Sequence, residues 1–541
     1  MPKLIIDGRE ASVADGTNVL EAAKSVGIDI PHYCYHPAFT VAGSCRLCVV
    51  DVEKMPKMQI SCHLKAAEGM VVHTNTERVL RARAAVLEFL LLNHPLDCPV
   101  CDQSGECWLQ IYYMQHGLYQ SRLLENKIRK HKAQPIGTGV ILDSERCILC
   151  SRCVRFCRQI VTTGEMGIFE RGDHSEIGIF PGRELVNKYS GNLVDICPVG
   201  ALTDRDFRFQ CRAWYLDKAD SICPLCSRGC NIEVHYNVRR PHQSNFRRVL
   251  RLKPRFNPDV NQWWMCDEGR YGYRFIDDPS RIVRPQMGQP PQPADTTWPE
   301  IISVLAQSLR SFRSNEIAIL ASPQMTNEEL FLIRCIFRDR LRIENLDFRV
   351  PPKAEPSADD FLIQPEKNPN TRGAQEIGLL PAAGPPTPRE TLMAAADGRI
   401  KALFIFHHDL FSSPWDTKLV EKALSSLEIV VFQGSNANRT SRCAHFVLPS
   451  ATFAEKEGTF TNFQGRVQKI NQAVEPLGQA VPDWQILLSL AGALDLSLPY
   501  TSPADVFADL SSSVPAFSRL NYNSIGSQGQ TIAGEGDSRA G

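Results

Sequence analysis

Sixteen side chains in this sequence stand at spacings suited to holding metal, and they fall into four sets of four. The first is Cys34-x10-Cys45-x2-Cys48-x13-Cys62. A long gap, a tight pair and a distant fourth thiol suit a loop wrapped round a 2Fe–2S cluster, in a spacing related to, but different from, that of plant-type ferredoxins. Gly43 and Ser44 are small enough to bring backbone amides up to the cluster sulfurs. The second is His94-x3-Cys98-x2-Cys101-x5-Cys107, which suits a 4Fe–4S cluster with one imidazole among three thiolates. The third is Cys147-x2-Cys150-x2-Cys153 with the remote Cys197-Pro198, the wiring of one 4Fe–4S cluster in a ferredoxin-like fold. The fourth is Cys223-x2-Cys226-x3-Cys230-x35-Cys266, again four thiolates for 4Fe–4S. Zinc is the rival metal for the first and fourth sets, because C-x2-C followed by a later pair is also zinc-like.

Nineteen cysteines are present, so Cys157, Cys211, Cys335 and Cys443 are left over. Cys157 extends the third run, but Arg158 follows it where a two-cluster ferredoxin has proline, and no partner run exists. It reads as a buried or free thiol and not as part of a fifth cluster. A disulfide framework is disfavoured, because such frameworks belong to small secreted domains. All four sets need a reducing compartment.

The elements that position these ligands can be read locally. Lys3–Ile6 reads as a strand and Asn18–Val26 as a short helix stopped by Gly27, the opening of a β-grasp ferredoxin domain. An amphipathic helix with Leu80, Ala84, Leu87 and Leu91 on one face ends at Pro95 and projects His94 from its end. After Cys266 strands and helices alternate: a helix over Pro299–Leu309, a strand over Glu316–Leu320, and a capping box Thr326-x-x-Glu329 opening a helix to about Arg338. Buried strands follow over Ala402–Phe406, Ile429–Phe432 and His445–Leu448, which predicts an α/β domain with a mostly parallel sheet. The proline- and glycine-rich stretch Pro351–Pro388 reads as a long connection, and the tail from about Ser524 as disordered. His407-His408-Asp409 invites a catalytic reading but sits where a strand ends, and reads more simply as a turn.

Sixty basic and sixty acidic residues balance, which gives no footprint for nucleic acid or an anionic membrane. No apolar run reaches the length of a membrane span. The N-terminus enters a strand at once, without a signal or transit pattern, so any membrane contact is expected through partners. No Gly-rich dinucleotide turn is found.

This order of motifs resembles the family of large iron–sulfur subunits of NADH–quinone oxidoreductase (complex I). The resemblance is carried by Asn93–Cys107, Cys147–Cys153, Cys197–Leu202, Ala451–Asn462, Gly465-Arg466-Val467-Gln468 and Pro482-Asp483-Trp484. It covers about residues 1–495. It implies a 2Fe–2S domain at 1–78, a 4Fe–4S segment at 79–118, a ferredoxin-like 4Fe–4S domain at 119–215 and a molybdopterin-enzyme-type 4Fe–4S domain at 216–272. A degenerate, shortened α/β molybdopterin-oxidoreductase-like domain would follow at 273–500, with a partly disordered tail at 501–541. One 2Fe–2S and three 4Fe–4S clusters are implied and no molybdenum cofactor, because few residues remain after Cys266 and none presents itself as metal ligand or substrate base. The resemblance further implies partners carrying FMN and the NADH site on one side and quinone-side iron–sulfur subunits on the other. It also implies a peripheral place on the cytoplasmic face of a bacterial inner membrane. It puts the second and third sets on the main electron path and leaves the fourth off it. The rival reading is the iron–sulfur subunit of a soluble NAD-linked formate dehydrogenase or hydrogenase.

Overall fold

Asp7 and Gly8 both take positive φ, 45° and 81°, and join Lys3–Ile6 to Arg9–Ser12 in the two-residue hairpin that an Asp-Gly pair favours. Leu4 and Ile6 alternate inward, as a half-buried strand requires. In the computed structural model, which describes residues 1–351, 357–380 and 384–533, this hairpin belongs to the first of two compact units, Met1–Leu216 and Asp217–Gly541.

In the first unit the strand Lys3–Ile6 also pairs parallel to Met70–His73, which runs antiparallel to Val49–Val52, with Gln59–Ile60 at the edge. The helix Val19–Ser25 packs on this sheet; Asn18 caps it by accepting from Glu21 N–H at 2.9 Å. The helix Glu77–Leu91 buries Val79, Arg83 and Leu87, and Leu80 lies 40% exposed. Of the expected face, Leu87 is buried and Ala84 and Leu91 are half-buried, whereas Leu80 turns outward and Val79 and Arg83 take the inner row. Arg83 occupies the inner row because its guanidinium donates to Val49 O at 3.1 Å, so a charged residue broke the apolar pattern. Beyond residue 130 a three-stranded sheet (Leu202–Asp204, Val140–Leu142, Gln134–Pro135) and the hairpin Met166–Phe169/Glu176–Ile179 accompany short helices at Arg152–Arg155 and Asn192–Ile196.

The second unit opens with three antiparallel strands, Asp217–Ile222, Asn231–Tyr236 and Val249–Pro254. Its centre is a seven-stranded sheet. Ile317–Leu320, Leu346–Asp347, Ala402–Phe406, Ile429–Gly434 and Phe446–Pro449 run parallel, and Gln286–Met287 and Ala294–Asp295 add an antiparallel edge. The two-residue strands are too short to show a period in sequence. The helix Trp298–Leu309 and the capping box at Thr326 stand as expected, the helix Asn327–Ile333 continuing as a wider turn over Arg334–Arg340.

Two expectations are corrected. The stretch Pro351–Pro388 is not merely a connection: it holds the helix Thr371–Glu376 and buries Leu362, Ile363, Ala374, Ile377 and Leu379, residues 352–356 and 381–383 lying outside the described part. Nor is the chain disordered from Ser524. Gln530–Thr531 pairs with Arg466–Val467, and Ile525 and Ile532 are buried, apolar side chains that pattern reading lost among glycines and serines. Residues 534–541 lie outside the described part. Among the described residues no helix is long and apolar enough to cross a membrane.

Candidate metal centres

The first set closes in pairs. Strand pairing brings Cys48 to Cys62, with Ser61 N–H donating to Cys48 O at 3.0 Å, and the loop returns Cys45 to Cys34, with Tyr33 N–H reaching Cys45 Sγ at 3.5 Å. The Cys45 thiol, its own N–H and Ser44 all donate to Cys34 Sγ, holding that thiol down at about 5. A hydrogen bond from Cys62 holds Cys48 at about 7. Cys45 and Cys62, the donors, are pushed up correspondingly. Two thiols against two thiols is the donor arrangement of a two-iron cluster, in which each iron takes two protein ligands.

The second set sits where a helix ends. Lys127 Nζ donates to Leu91 O and Leu92 O at 2.7 Å each, tying off the helix before His94. His94 Nδ1 is buried and meets no hydrogen-bond partner. Burial, with Arg146 and Lys127 nearby, lowers the imidazole to about 4, so the neutral, ligating form prevails at pH 7. Cys98 is exposed, whereas Cys101 and Cys107 are buried. Cys107 caps the helix Trp108–His116, and the N–H groups of Leu109 and Gln110 face its sulfur, although burial still lifts it to about 11. A Cβ on Gly200 would overlap Cys101 Sγ, so the turn after Cys197-Pro198 forms the floor beneath a ligand of another set. His94→Cys is expected to retain a cluster and lower its midpoint potential, since a thiolate adds the negative charge that imidazole withholds. An EPR-monitored redox titration reads this, and an unmoved potential removes His94 from the ligand set.

The third set rings a small cavity that Cys147, Cys150, Cys153 and Cys197 share with Leu142, Ile177 and Arg152. Leu149 and Ser151 take φ of 53° and 62°, left-handed kinks that turn successive cysteines toward one centre. The N–H groups of Val199, Ala201 and Leu202 face Cys197 Sγ; burial nevertheless raises that thiol to about 12.

The fourth set rings a second small cavity, with Cys223, Cys226, Cys230 and Cys266 in its wall. Cys223 N–H donates to Cys230 O at 2.9 Å, Gly229 turns between them at φ 63°, and Gly269 N–H donates to Cys266 Sγ at 3.3 Å. Leu362, Ile363 and Lys367 complete this wall, and Lys367 Nζ lies 2.9 Å from Glu268 Oε2. Sequence reading missed these three because they lie in the supposed connection.

Among the described residues no three or more His, Cys, Asp or Glu side chains draw together tightly enough for one metal ion. The third and fourth sets line their respective cavities. Burial and neighbouring thiols push Cys147, Cys153, Cys223 and Cys230 up, so binding a cluster would release their protons. Among the leftover cysteines, Cys157 and Cys211 are buried and Cys335 and Cys443 half-buried.

At the other candidate, His407 stands at φ 56° just beyond Ala402–Phe406. Its Nε2 lies 2.9 Å from Asp483 Oδ1, and His408 Nε2 lies 2.9 Å from Ala321 O. Lys456 Nζ donates to both Glu329 oxygens at 2.9 and 2.8 Å and to Asp483 Oδ2 at 2.7 Å. Burial pushes Glu329 up; Asp483, equally buried, is held below the usual carboxylate range by Lys456 and His407. Burial opposes the charge on Lys456, but Asp483 and Glu329 outweigh it and raise the ammonium.

The chain matches five families in sequence order. Residues 3–77 match the 2Fe-2S iron-sulfur cluster binding domain, 83–122 the NADH-ubiquinone oxidoreductase-G iron-sulfur binding region, and 137–203 the ferredoxin-like domain of NADH-quinone oxidoreductase subunit 3. Residues 216–278 match the molybdopterin oxidoreductase Fe4S4 domain and 365–493 molybdopterin oxidoreductase. The fold is thus a run of N-terminal iron–sulfur domains followed by a molybdopterin-oxidoreductase domain of mixed α and β structure. The G subunit of NADH-quinone oxidoreductase from Rickettsia bellii is 29% identical over 96% of this chain and 90% of its own length. The G subunit from Streptomyces coelicolor is 39% identical over 66% of this chain and 42% of its own. The mitochondrial NADH-ubiquinone oxidoreductase 78 kDa subunit of Candida albicans is 28% identical over 92% and 83%. By motif order, iron–sulfur domains and relatives along nearly its whole length, the chain belongs to the family of G subunits, the large iron–sulfur subunits, of NADH-quinone oxidoreductase.

Proposed function

We propose that this chain is the electron-relaying subunit of a respiratory NADH:quinone oxidoreductase, with no active site of its own. It would take electrons from NADH by way of FMN on a partner subunit and pass them toward quinone through further iron–sulfur subunits, the whole complex coupling this to proton translocation. A 2Fe–2S cluster would be held by Cys34, Cys45, Cys48 and Cys62. Three 4Fe–4S clusters would be held by His94/Cys98/Cys101/Cys107, Cys147/Cys150/Cys153/Cys197 and Cys223/Cys226/Cys230/Cys266. The observation that carries this reading is that ligands of three sets border one apolar core: Cys45, Cys107, Cys147, Cys150 and Cys197 pack with Tyr33, Leu47, Leu87, Leu109 and Tyr112. Clusters bordering one apolar core would pass electrons between them without a diffusing carrier. The subunit is placed peripherally on the cytoplasmic face of a bacterial inner membrane, touching lipid only through partners.

The formate dehydrogenase or hydrogenase alternative is not favoured by relatives that are G subunits of NADH-quinone oxidoreductase and align across 96% of the chain. No molybdenum cofactor is proposed. Ligands of a doubly wound sheet bind beyond the strand ends where strand order reverses. Here that point lies between Ile317–Leu320 and Ala402–Phe406. His408 bonds Ala321 across it, and His407, Asp483, Lys456 and Glu329 engage one another beside it. Iron and acid-labile sulfide assays on anaerobically purified chain are expected to give about fourteen irons, from one two-iron and three four-iron clusters. A colourless, zinc-only protein overturns the proposal.

A further inference from the structure

Two arginines between the first and third sets have no anionic partner among the described residues. Arg155 donates to Cys34 O, to Cys150 O at 3.4 Å and to Thr40 O at 2.8 Å, and its guanidinium lies 5.2 Å from the centre of the Phe39 ring. Arg152 donates to Tyr35 O, one residue from Cys34, and to Ile196 O at 3.2 Å, one residue from Cys197. These acceptors are neutral carbonyls, and Arg155 Nε donates to the equally neutral Ser151 Oγ at 3.2 Å. Among the described residues no carboxylate pairs with either side chain, and the groups that favour their charge are thiols of both sets: Cys34, Cys45, Cys150 and Cys197 around Arg152; Cys34, Cys150 and Cys153 around Arg155. Arg146, beside the second set, is different: Asp97 and Asp143 lie 3.0 and 3.4 Å from it. One donor also remains unused. Arg152 Nε is buried and meets no acceptor, and Arg152 lines the third cavity.

A guanidinium keeps its charge in proteins, and a buried cation facing only neutral groups is costly unless an anion is supplied. Four thiolates around iron and sulfide carry net negative charge, and each added electron increases it. We propose that Arg152 and Arg155 are a counter-cation pair shared by the first and third clusters, with Arg152 Nε–H donated to a sulfur of the third. The inference rests on the ligand sets proposed above. The pair favours the reduced state of both clusters, so it positions their potentials without taking up an electron itself. The second cluster, whose arginine is already paired, is left out of this effect.

The test uses the full chain loaded with its clusters. In an EPR-monitored redox titration, R152Q and R155Q are each expected to make reduction of the third cluster at least tenfold less favourable, a fall of about 59 mV for a one-electron couple. R155Q lowers the first cluster as well, and the second stays put in both. R152K, which keeps the charge and loses the Nε donor, falls less than R152Q. Should the glutamine variants fail to load, unaltered protein labelled with 15N-arginine decides: a nitrogen hyperfine coupling is expected on the signal of the third cluster. Potentials of the first and third clusters that do not move, or a third-cluster signal without arginine coupling, overturn the inference. If no signal is lost on Cys150→Ala, the ligand assignment itself has failed, which is a separate result.

Discussion

Lys456→Ala is expected to cost the C-terminal unit about 3–5 kcal/mol, the usual penalty for stripping one partner from a buried ion pair. Lys456 is 3% exposed, and Glu329 and Asp483 are wholly buried. Neither carboxylate can turn to water when the ammonium goes. Asp483 keeps His407 and the amide of Gln433, at 2.9 and 2.8 Å, but Glu329 retains only its capping bond to Thr326 N–H at 2.9 Å. The loss would reach the sheet, because these groups tie the helices opening at Asn327 and Asp483 to the strand ends beyond Phe406 and Ile429–Gly434. Denaturant unfolding read by tryptophan fluorescence measures it. The triple change Lys456→Met, Glu329→Gln, Asp483→Asn, which removes all three charges together, should recover much of the stability. A single-variant loss under about 1 kcal/mol would place the network among weak exposed pairs and contradict its burial.

Gly200→Ala is expected to abolish the second cluster and leave the third in place, although Gly200 follows a ligand of the third. A methyl there overlaps Cys101 Sγ and crowds Gln103 Cβ at 3.2 Å, with Arg146 Cδ in ordinary contact at 3.7 Å. Cys101 has little room to retreat, since the Arg212 guanidinium is anchored to Cys101 O at 2.8 Å and Phe209 N–H to the next residue, Asp102, at 2.9 Å. The iron content should fall by about four per chain, the inventory of one cubane cluster. Full iron content with an unaltered second-cluster EPR signal would falsify this.

The proposed ligand sets could be picked out in the sequence because cluster chemistry fixes residue type and spacing together. Hairpin and cap residues such as Asp7-Gly8, Asn18 and Thr326 were legible for a like reason: each answers a local backbone demand. What escaped were side chains whose role depends on a distant neighbour. Arg83 looks like a solvent-facing residue until Val49 O is found behind it. Leu362 and Ile363 look like loop until Cys226 and Cys266 are found across a cavity. Gly200 reads as part of a Cys-Pro turn, and nothing near it in sequence announces Cys101. Arg152 and Arg155 read as spacers between cysteines, and only their carbonyl partners at Tyr35, Thr40 and Cys34 reveal that they reach another ligand loop.

The return of residues 527–529 to the strand that follows Cys230 bears on how the protein is made. Asn231 Nδ2 donates to Ser527 O at 3.1 Å, Arg255 to the same carbonyl at 2.6 Å and Asn257 to Gln528 O at 3.0 Å. A ribosome releases Cys223 to Cys266 some 260 residues before these partners emerge. Ligands of the other three sets, all before Leu216, meet no such delay. Iron delivery to the growing polypeptide would therefore begin at its front while the proposed fourth site waits for residues 527–528 to emerge, which would make that site the one most exposed to oxygen and to interrupted synthesis.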